Sequence, residues 1–165
     1  MTSILGLDPG IATTGYGLVS ENPEGDLQAI EFGIIQTPAN LSDPERLVIL
    51  YQRLREIILL HRPQGCAVEK LFFQKNVRTA IAVGQARGVI LLALAEAGLE
   101  IGEYTPNEVK QAVTGYGSAD KLQVQEMVRI LLQLSDIPKP DDAADALAIA
   151  ITHIHTNHFS NQSEP

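Results

Sequence analysis

Four acidic side chains stand where secondary-structure elements should begin or end, and they are the residues of this 165-residue chain best suited to chemistry. Asp8 closes the apolar run Ile4-Leu5-Gly6-Leu7 and is followed at once by Pro9-Gly10. A strand of that composition carries its last side chain to the rim of a sheet. Pro and Gly then turn the chain away and leave the carboxylate exposed at the strand tip. Glu69 follows Cys66-Ala67-Val68 in the same way. Asp142 and Asp145 open an apolar C-terminal segment, and their spacing of three puts both on one helical face. Asp141 also pairs with Asp145, at a spacing of four, so helical geometry alone does not choose between Asp141 and Asp142.

Carboxylates gathered at one point repel. At 4 Å and an effective dielectric near 20, each like-charged pair costs about 4 kcal/mol, which a proton or a bound cation relieves. Oxygen-only donors select hard ions, so Mg²⁺ or Mn²⁺ fits and Zn²⁺ does not. Two such ions can activate a water, clamp a phosphate and stabilise the leaving oxygen of an in-line displacement. The competing explanation for the aspartate pair is plain helix chemistry, acids in a first turn complementing free amides. His153, His155 and His158 form a second titratable tract. Eleven residues of helix put His153 about 16 Å from Asp142, too far to share an ion, and cations near a helix C-terminus are the expected role. The sequence contains no Ser-His-Asp arrangement, Walker-type loop or Cys/His cluster.

The elements that must position these acids can be read in order. Residues 3–8, Thr13 to Ser20 and Leu27 to Gln36 read as three strands of an antiparallel meander, with a turn at Asn22 to Asp26. Ser42-Asp43-Pro44-Glu45 is a helix start with a capping box, and Leu47, Leu50, Tyr51, Leu54, Ile57 and Ile58 mark one face of the helix that Pro63 ends. Gly65 to Glu69 is a fourth strand, a long helix spans Asn76 to Ala97, and Glu100 to Tyr104 is a fifth strand. Thr105 and Glu108 make a second capping box. Ser118 is placed to cap a helix through Leu134, and a last helix runs from Asp141 to about His155. Polar residues 156–165 read as a disordered tail. The pattern is α/β, a five-stranded mixed sheet flanked by helices, in one domain over residues 1–155.

Composition narrows the setting. The chain is 45% apolar with no Trp, so the core is aliphatic. The single cysteine excludes an internal disulfide and reads as a buried small residue. Met1-Thr2-Ser3 lacks the basic flank of a signal peptide, and the longest apolar run, Val89 to Ala95, is too short to span a bilayer. A cytoplasmic protein without a membrane partner is expected. Net charge is −8, yet residues 46–87 carry eight basic and two acidic side chains, so this window is +6 and the remainder −14. Lys70, Lys75, Arg78 and Arg87 form a strip without acids beside Glu69. Screening confines each field to about 8–10 Å, so such a strip can hold phosphates on an acidic chain. Phe72-Phe73 lies within it, either as a core plug or as a platform for stacking on bases.

The ordered segments Ile4 to Gly10, Thr14 to Gly17, Glu69 to Asn76, Gly84 to Gly88, Val109 to Gln111, Gly115 to Lys121 and Asp142 to Ala150 resemble the RuvC family of Holliday-junction resolvases. The resemblance covers residues 3 to about 155. It implies a ribonuclease-H-like fold with the first and fourth strands adjacent, and it selects Asp142 over Asp141. The implied activity is structure-selective, paired nicking of four-way DNA junctions in recombination and repair, leaving 5′-phosphates and 3′-hydroxyls. Asp8, Glu69, Asp142 and Asp145 would be the catalytic metal ligands for Mg²⁺, with Mn²⁺ as a substitute and two ions per site. Phe72 would contact bases, Lys110 and Lys121 would support phosphate binding and catalysis, and Lys75 and Arg78 would add DNA contacts. The resemblance further implies a homodimer packed partly through the long helix around Gly84 and Gly88, and partnership with the branch-migration helicase proteins of the same pathway. Three other readings remain in view: a related nuclease acting on RNA–DNA hybrid or simpler DNA, a phosphate-binding ATPase-like domain, and a catalytically silent DNA-binding module.

Overall fold

Strands β1 (Thr2–Asp8), β2 (Thr13–Glu21) and β3 (Leu27–Gln36) form the expected antiparallel meander in the computed structural model, which describes residues 2–70 and 76–163. Strands β4 (Gly65–Glu69) and β5 (Ile101–Tyr104) add to it in parallel, giving one five-stranded mixed sheet in the order β3-β2-β1-β4-β5. The first and fourth strands are neighbours, with Leu7 opposite Val68. This is the arrangement of a ribonuclease-H-like fold.

The side-chain alternation of the strands splits the core in two. Leu5, Leu7, Leu18, Cys66 and Val68 point to one face, where they meet helices α1 (Asp43–His61) and α2 (Val77–Glu96). Ile4, Val19, Ala67 and Tyr104 point to the other, beneath α3 (Pro106–Thr114), α4 (Lys121–Leu131) and α5 (Asp141–Gln162). Both anticipated capping boxes are present, Ser42 with Glu45 and Thr105 with Glu108.

Two helices differ from expectation at their ends. Asp120, not Ser118, caps α4: its carboxylate accepts from the Gln123 amide at 2.8 Å and the Gln123 side chain accepts from the Asp120 amide at 2.8 Å. The helix stops at Leu131, and Gln133 adopts a left-handed φ of 55°. Helix α5 does not end near His155 but continues to Gln162, through most of the segment expected as a disordered tail. Its added turns have no apolar stripe to betray them. Hydrogen bonds hold them instead: His155 Nδ1 to the Ala112 carbonyl, His158 to the Glu21 carboxylate, and the Ser160 and Ser163 hydroxyls back to the preceding turn.

Helix α5 is buried from Ala143 to Ile154 except at the half-buried Asp145. It sits so low on the sheet that its backbone touches strand residues lacking a side chain. A Cβ at Gly6 would overlap the Ala146 carbonyl oxygen, one at Gly15 the Asp142 carbonyl oxygen, and one at Gly17 would press on Leu147. Gly6 and Gly17 pair across the β1–β2 ladder, and Asp8 pairs with Gly15. The three glycines therefore form a floor that admits the helix and ends at Asp8. Gly15→Ala should cost about 1–3 kcal/mol, as overpacking does, measured by urea unfolding. Because the clash is with the backbone of Asp142 itself, the variant should also lose function beyond what its lowered stability explains.

Candidate active site

The sheet brings Asp8 and Glu69 to the tips of adjacent parallel strands, one position beyond the Leu7–Val68 pair, close enough that the Glu69 carboxyl raises the proton affinity of Asp8. Behind Asp8 the turn is fixed by Thr14, whose buried hydroxyl donates to the Gly10 carbonyl at 2.5 Å and accepts from the Gly10 amide at 3.3 Å. Helix α5 supplies the facing pair. Asp8, Asp142 and Asp145 each offer an oxygen, and these oxygens lie within 4.8 Å of one another. Glu69 and Asp145 also line an adjoining cavity of about 240 Å³ with Lys110 and Lys121. Neither aspartate caps α5: the N-cap is Pro140, with no side-chain cap bond. Capping therefore does not account for them, although the positive end of the helix still favours acids there.

The cost of this gathering is visible in the proton affinities. Burial first, then the neighbouring Glu69 carboxyl, then repulsion from Asp145 and Asp142, push the Asp8 carboxyl up to about 9. Asp145 is pushed up to about 6, chiefly by burial. Lys121 partly offsets this, while Glu69, Asp142 and Asp141 add to it. Carboxyls that hold protons near neutral pH lack counter-charge. Every donor in the cluster is a carboxylate oxygen, with no thiolate or imidazole. The set suits a hard divalent ion such as Mg²⁺ or Mn²⁺ and does not suit Zn²⁺.

Comparison with known proteins gives the family. The family model for crossover junction endodeoxyribonuclease RuvC matches residues 4–153. The chain belongs to the RuvC family. It is 61% identical over 152 residues to RuvC of Chloroflexus aurantiacus, covering 92% of each chain. It is 54% identical over 154 residues to that of Roseiflexus sp., covering 93% of this chain and 91% of the other. Among solved structures, Thermus thermophilus RuvC in complex with a Holliday junction substrate superposes with a TM-score of 0.91 at 35% identity, covering 97% of both chains. A yeast mitochondrial Holliday junction resolvase shares the fold, with a TM-score of 0.68 at 14% identity.

The remaining residues singled out in this RuvC-family chain fall into three groups. Lys121, the first residue of α4, sits over the acids: its ammonium is 3.3 Å from Asp141 and 3.7 Å from Asp145. Burial alone would lower its pKa, but Asp145, Asp141 and Asp142 together raise it. Lys110, on α3, reaches the same cavity. Arg78 is exposed in the first turn of α2. Arg87 departs from the expected DNA-facing strip. Its guanidinium pairs with Glu103, and its Nε lies 3.5 Å from the Glu69 carbonyl, so it braces the tip of β4. Phe72, Phe73 and Lys75 lie outside the described residues.

The histidine tract is corrected as well. His153 is not a cation at a helix end but a buried residue in mid-helix. Burial lowers its pKa, and it meets the Tyr104 hydroxyl at 2.7 Å. Cys66 is buried and its thiol is pushed up to about 12 by that burial, which removes it as a nucleophile. The pairing of Asp141 with Lys121 was not read from the sequence. The acid-rich start of α5 was a signal, but its partner lies 20 positions away on another helix.

A titration test follows from Asp8. Its carboxyl is held up to about 9 in the folded chain against an ordinary 3.8. Between those values the folded state keeps a proton that the unfolded state releases, so stability falls as pH rises. Asp145 adds to the fall up to about pH 6. The Tm of chelator-treated protein should drop from pH 5 to pH 9, and Mn²⁺ should flatten the slope. Asp8→Asn should raise the metal-free Tm at pH 8 by about 3 °C, the shift expected of about 1 kcal/mol in a domain of this size. A metal-free Tm indifferent to pH would contradict the assignment.

Proposed function

We propose that this RuvC-family chain is a divalent-metal-dependent endonuclease that resolves four-way DNA junctions by paired hydrolytic nicks, leaving 5′-phosphate and 3′-hydroxyl ends. The observation that carries the reading is the convergence of Asp8, Asp142 and Asp145 within 4.8 Å at the tips of the sheet. Glu69 stands beside them, in a chain whose relatives at 54–61% identity are crossover junction endodeoxyribonucleases. Asp8, Glu69, Asp142 and Asp145 hold the metal, Mg²⁺ by preference and Mn²⁺ in its place, with two ions per site. Such ions supply an activated water and neutralise charge on the phosphate and the leaving oxygen. The protein's own residues do the rest. The glycine floor holds the α5 acids against the strand tips. Lys121 and Lys110 sit where a phosphate would approach, and Arg78 extends the positive surface. Phe72 and Lys75 are assigned to the junction in the same reading.

A homodimer completes it. Helix α2 is 20 residues long and strongly apolar, yet little of it is buried. Its inner face, Ala86, Ile90, Ala93 and Leu94, is in the core. The opposite stripe, Val77, Ile81, Gly84, Gly88 and Leu92, recurs at helical spacing. Val77, Ile81 and Leu92 are more than half exposed, and the space around Gly88 is open. An apolar stripe with small residues in the middle suits a second helix at close approach. Two copies joined this way would present two sites to the two like strands of a junction. Branch-migration helicase proteins are the proposed partners. A cytoplasmic location accompanies the buried, free Cys66.

The test is cleavage of a four-way junction, a nicked duplex and an RNA–DNA hybrid in parallel with Mg²⁺. The junction should be nicked in symmetric pairs; preference for the hybrid would replace this reading with a related nuclease. Asp8→Asn should eliminate cleavage while leaving junction binding intact, since the lost charge holds metal rather than DNA. Ile81→Glu should convert a dimer to a monomer in sedimentation and uncouple the paired nicks.

A further inference from the structure

Asp141 is the acid beside the cluster with no place in it. Its oxygens are not among those that converge with Asp8, Asp142 and Asp145. Instead both are engaged elsewhere: Oδ1 accepts from Gln125 Nε2 at 3.2 Å, and Oδ2 lies 3.3 Å from Lys121 Nζ. Lys121 is also 3.7 Å from Asp145 Oδ2, so its ammonium stands between an acid of the cluster and an acid outside it. The helices that carry these groups are firmly placed. The Asp120–Gln123 capping box sets the start of α4 one residue before Lys121, and Asp141 is the first residue of α5.

An ammonium within 4 Å of a carboxylate competes with any divalent ion for that carboxylate. A nearer carboxylate, itself anchored by an amide, divides the attraction. We infer that Asp141 is a positioning residue that holds the Lys121 ammonium off Asp145, keeping Asp145 free for metal and Lys121 at the rim where a phosphate would arrive. The inference rests on the metal-site reading above. Without the Asp141 charge, Lys121 collapses onto Asp145 and metal binding weakens through the lysine.

A double-mutant cycle on chelator-stripped protein tests this, using Mn²⁺ alone, without DNA, and reading free Mn²⁺ by electron paramagnetic resonance. Asp141→Asn should weaken Mn²⁺ binding about fivefold, the upper end of what a solvent-exposed ion pair contributes. In the Lys121→Met background the same substitution should change binding less than about twofold, because the lysine through which it acts is gone. Asp141→Glu should restore binding, and the Mg²⁺ needed for half-maximal cleavage should rise in Asp141→Asn with little change in rate at saturating Mg²⁺. An equal loss in both backgrounds would mean that Asp141 acts by its own field, and no loss in either would mean that it does nothing; both overturn the inference. A wild-type protein that binds no Mn²⁺ would bring down the metal reading itself, an outcome distinct from the other two.

Discussion

The close seating of α5 on β1 and β2 is the constraint on which the rest of this molecule depends. Two acids belong to strand tips and two to a helix, and only a helix lowered to backbone contact brings the sets together. Gly6, Gly15 and Gly17 make that approach possible because nothing projects from them. The energy that holds it comes from the same helix. Leu147, Ile149 and Ile151 are fully buried, and burial of each is worth about 1.5–3 kcal/mol. A like-charged carboxylate pair at contact costs about 4 kcal/mol at an intermediate dielectric. Three such side chains outweigh one repelling pair, and the raised proton affinities of Asp8 and Asp145 lessen the repulsion among the rest of the cluster.

The electrostatic state of the site follows from that geometry. Proton uptake by Asp8 and Asp145 and the nearby ammonium of Lys121 are substitutes for a cation. They temper the repulsion among the acids while leaving a cluster of carboxylate oxygens. The same logic bears on how a chain of net charge −8 meets a polyanion. The surface beside the acids is less basic than its sequence suggests, since Arg87 is spent on Glu103. Positive charge beside the acids comes from Lys121 and Lys110, on two different helices, which line the same cavity as Glu69 and Asp145.

Local chemistry made much of this fold legible. Meander strands, the strand ending at Glu69 and two capping boxes all depend on residues within a few positions of one another, and they appear as read. Where the reading departed from the structure, the deciding partner was remote or the local signals were close rivals. Ser118 and Asp120 both resemble caps, and the return bond from Gln123 chose Asp120. The last turns of α5 are polar apart from an exposed Phe159, and their order comes from Glu21 and Ala112, far away in the chain. His153 looked like a charged residue at a helix end because nothing nearby in sequence announces Tyr104.

Sequence alone determined which residues could do chemistry here. Acids at strand tips and at the start of an apolar helix are marked by the turn and helix signals beside them, which single out Asp8, Glu69 and Asp145, while the choice of Asp142 over Asp141 came from the family resemblance. Tertiary structure alone decided what each charge faces. It turned Asp141 to Lys121, took Arg87 out of the basic surface, buried His153 and drove the Asp8 proton affinity upward. The reason is range. Propensity and periodicity act over a few residues, whereas the environment of a charge is set by whatever the fold brings within several ångströms.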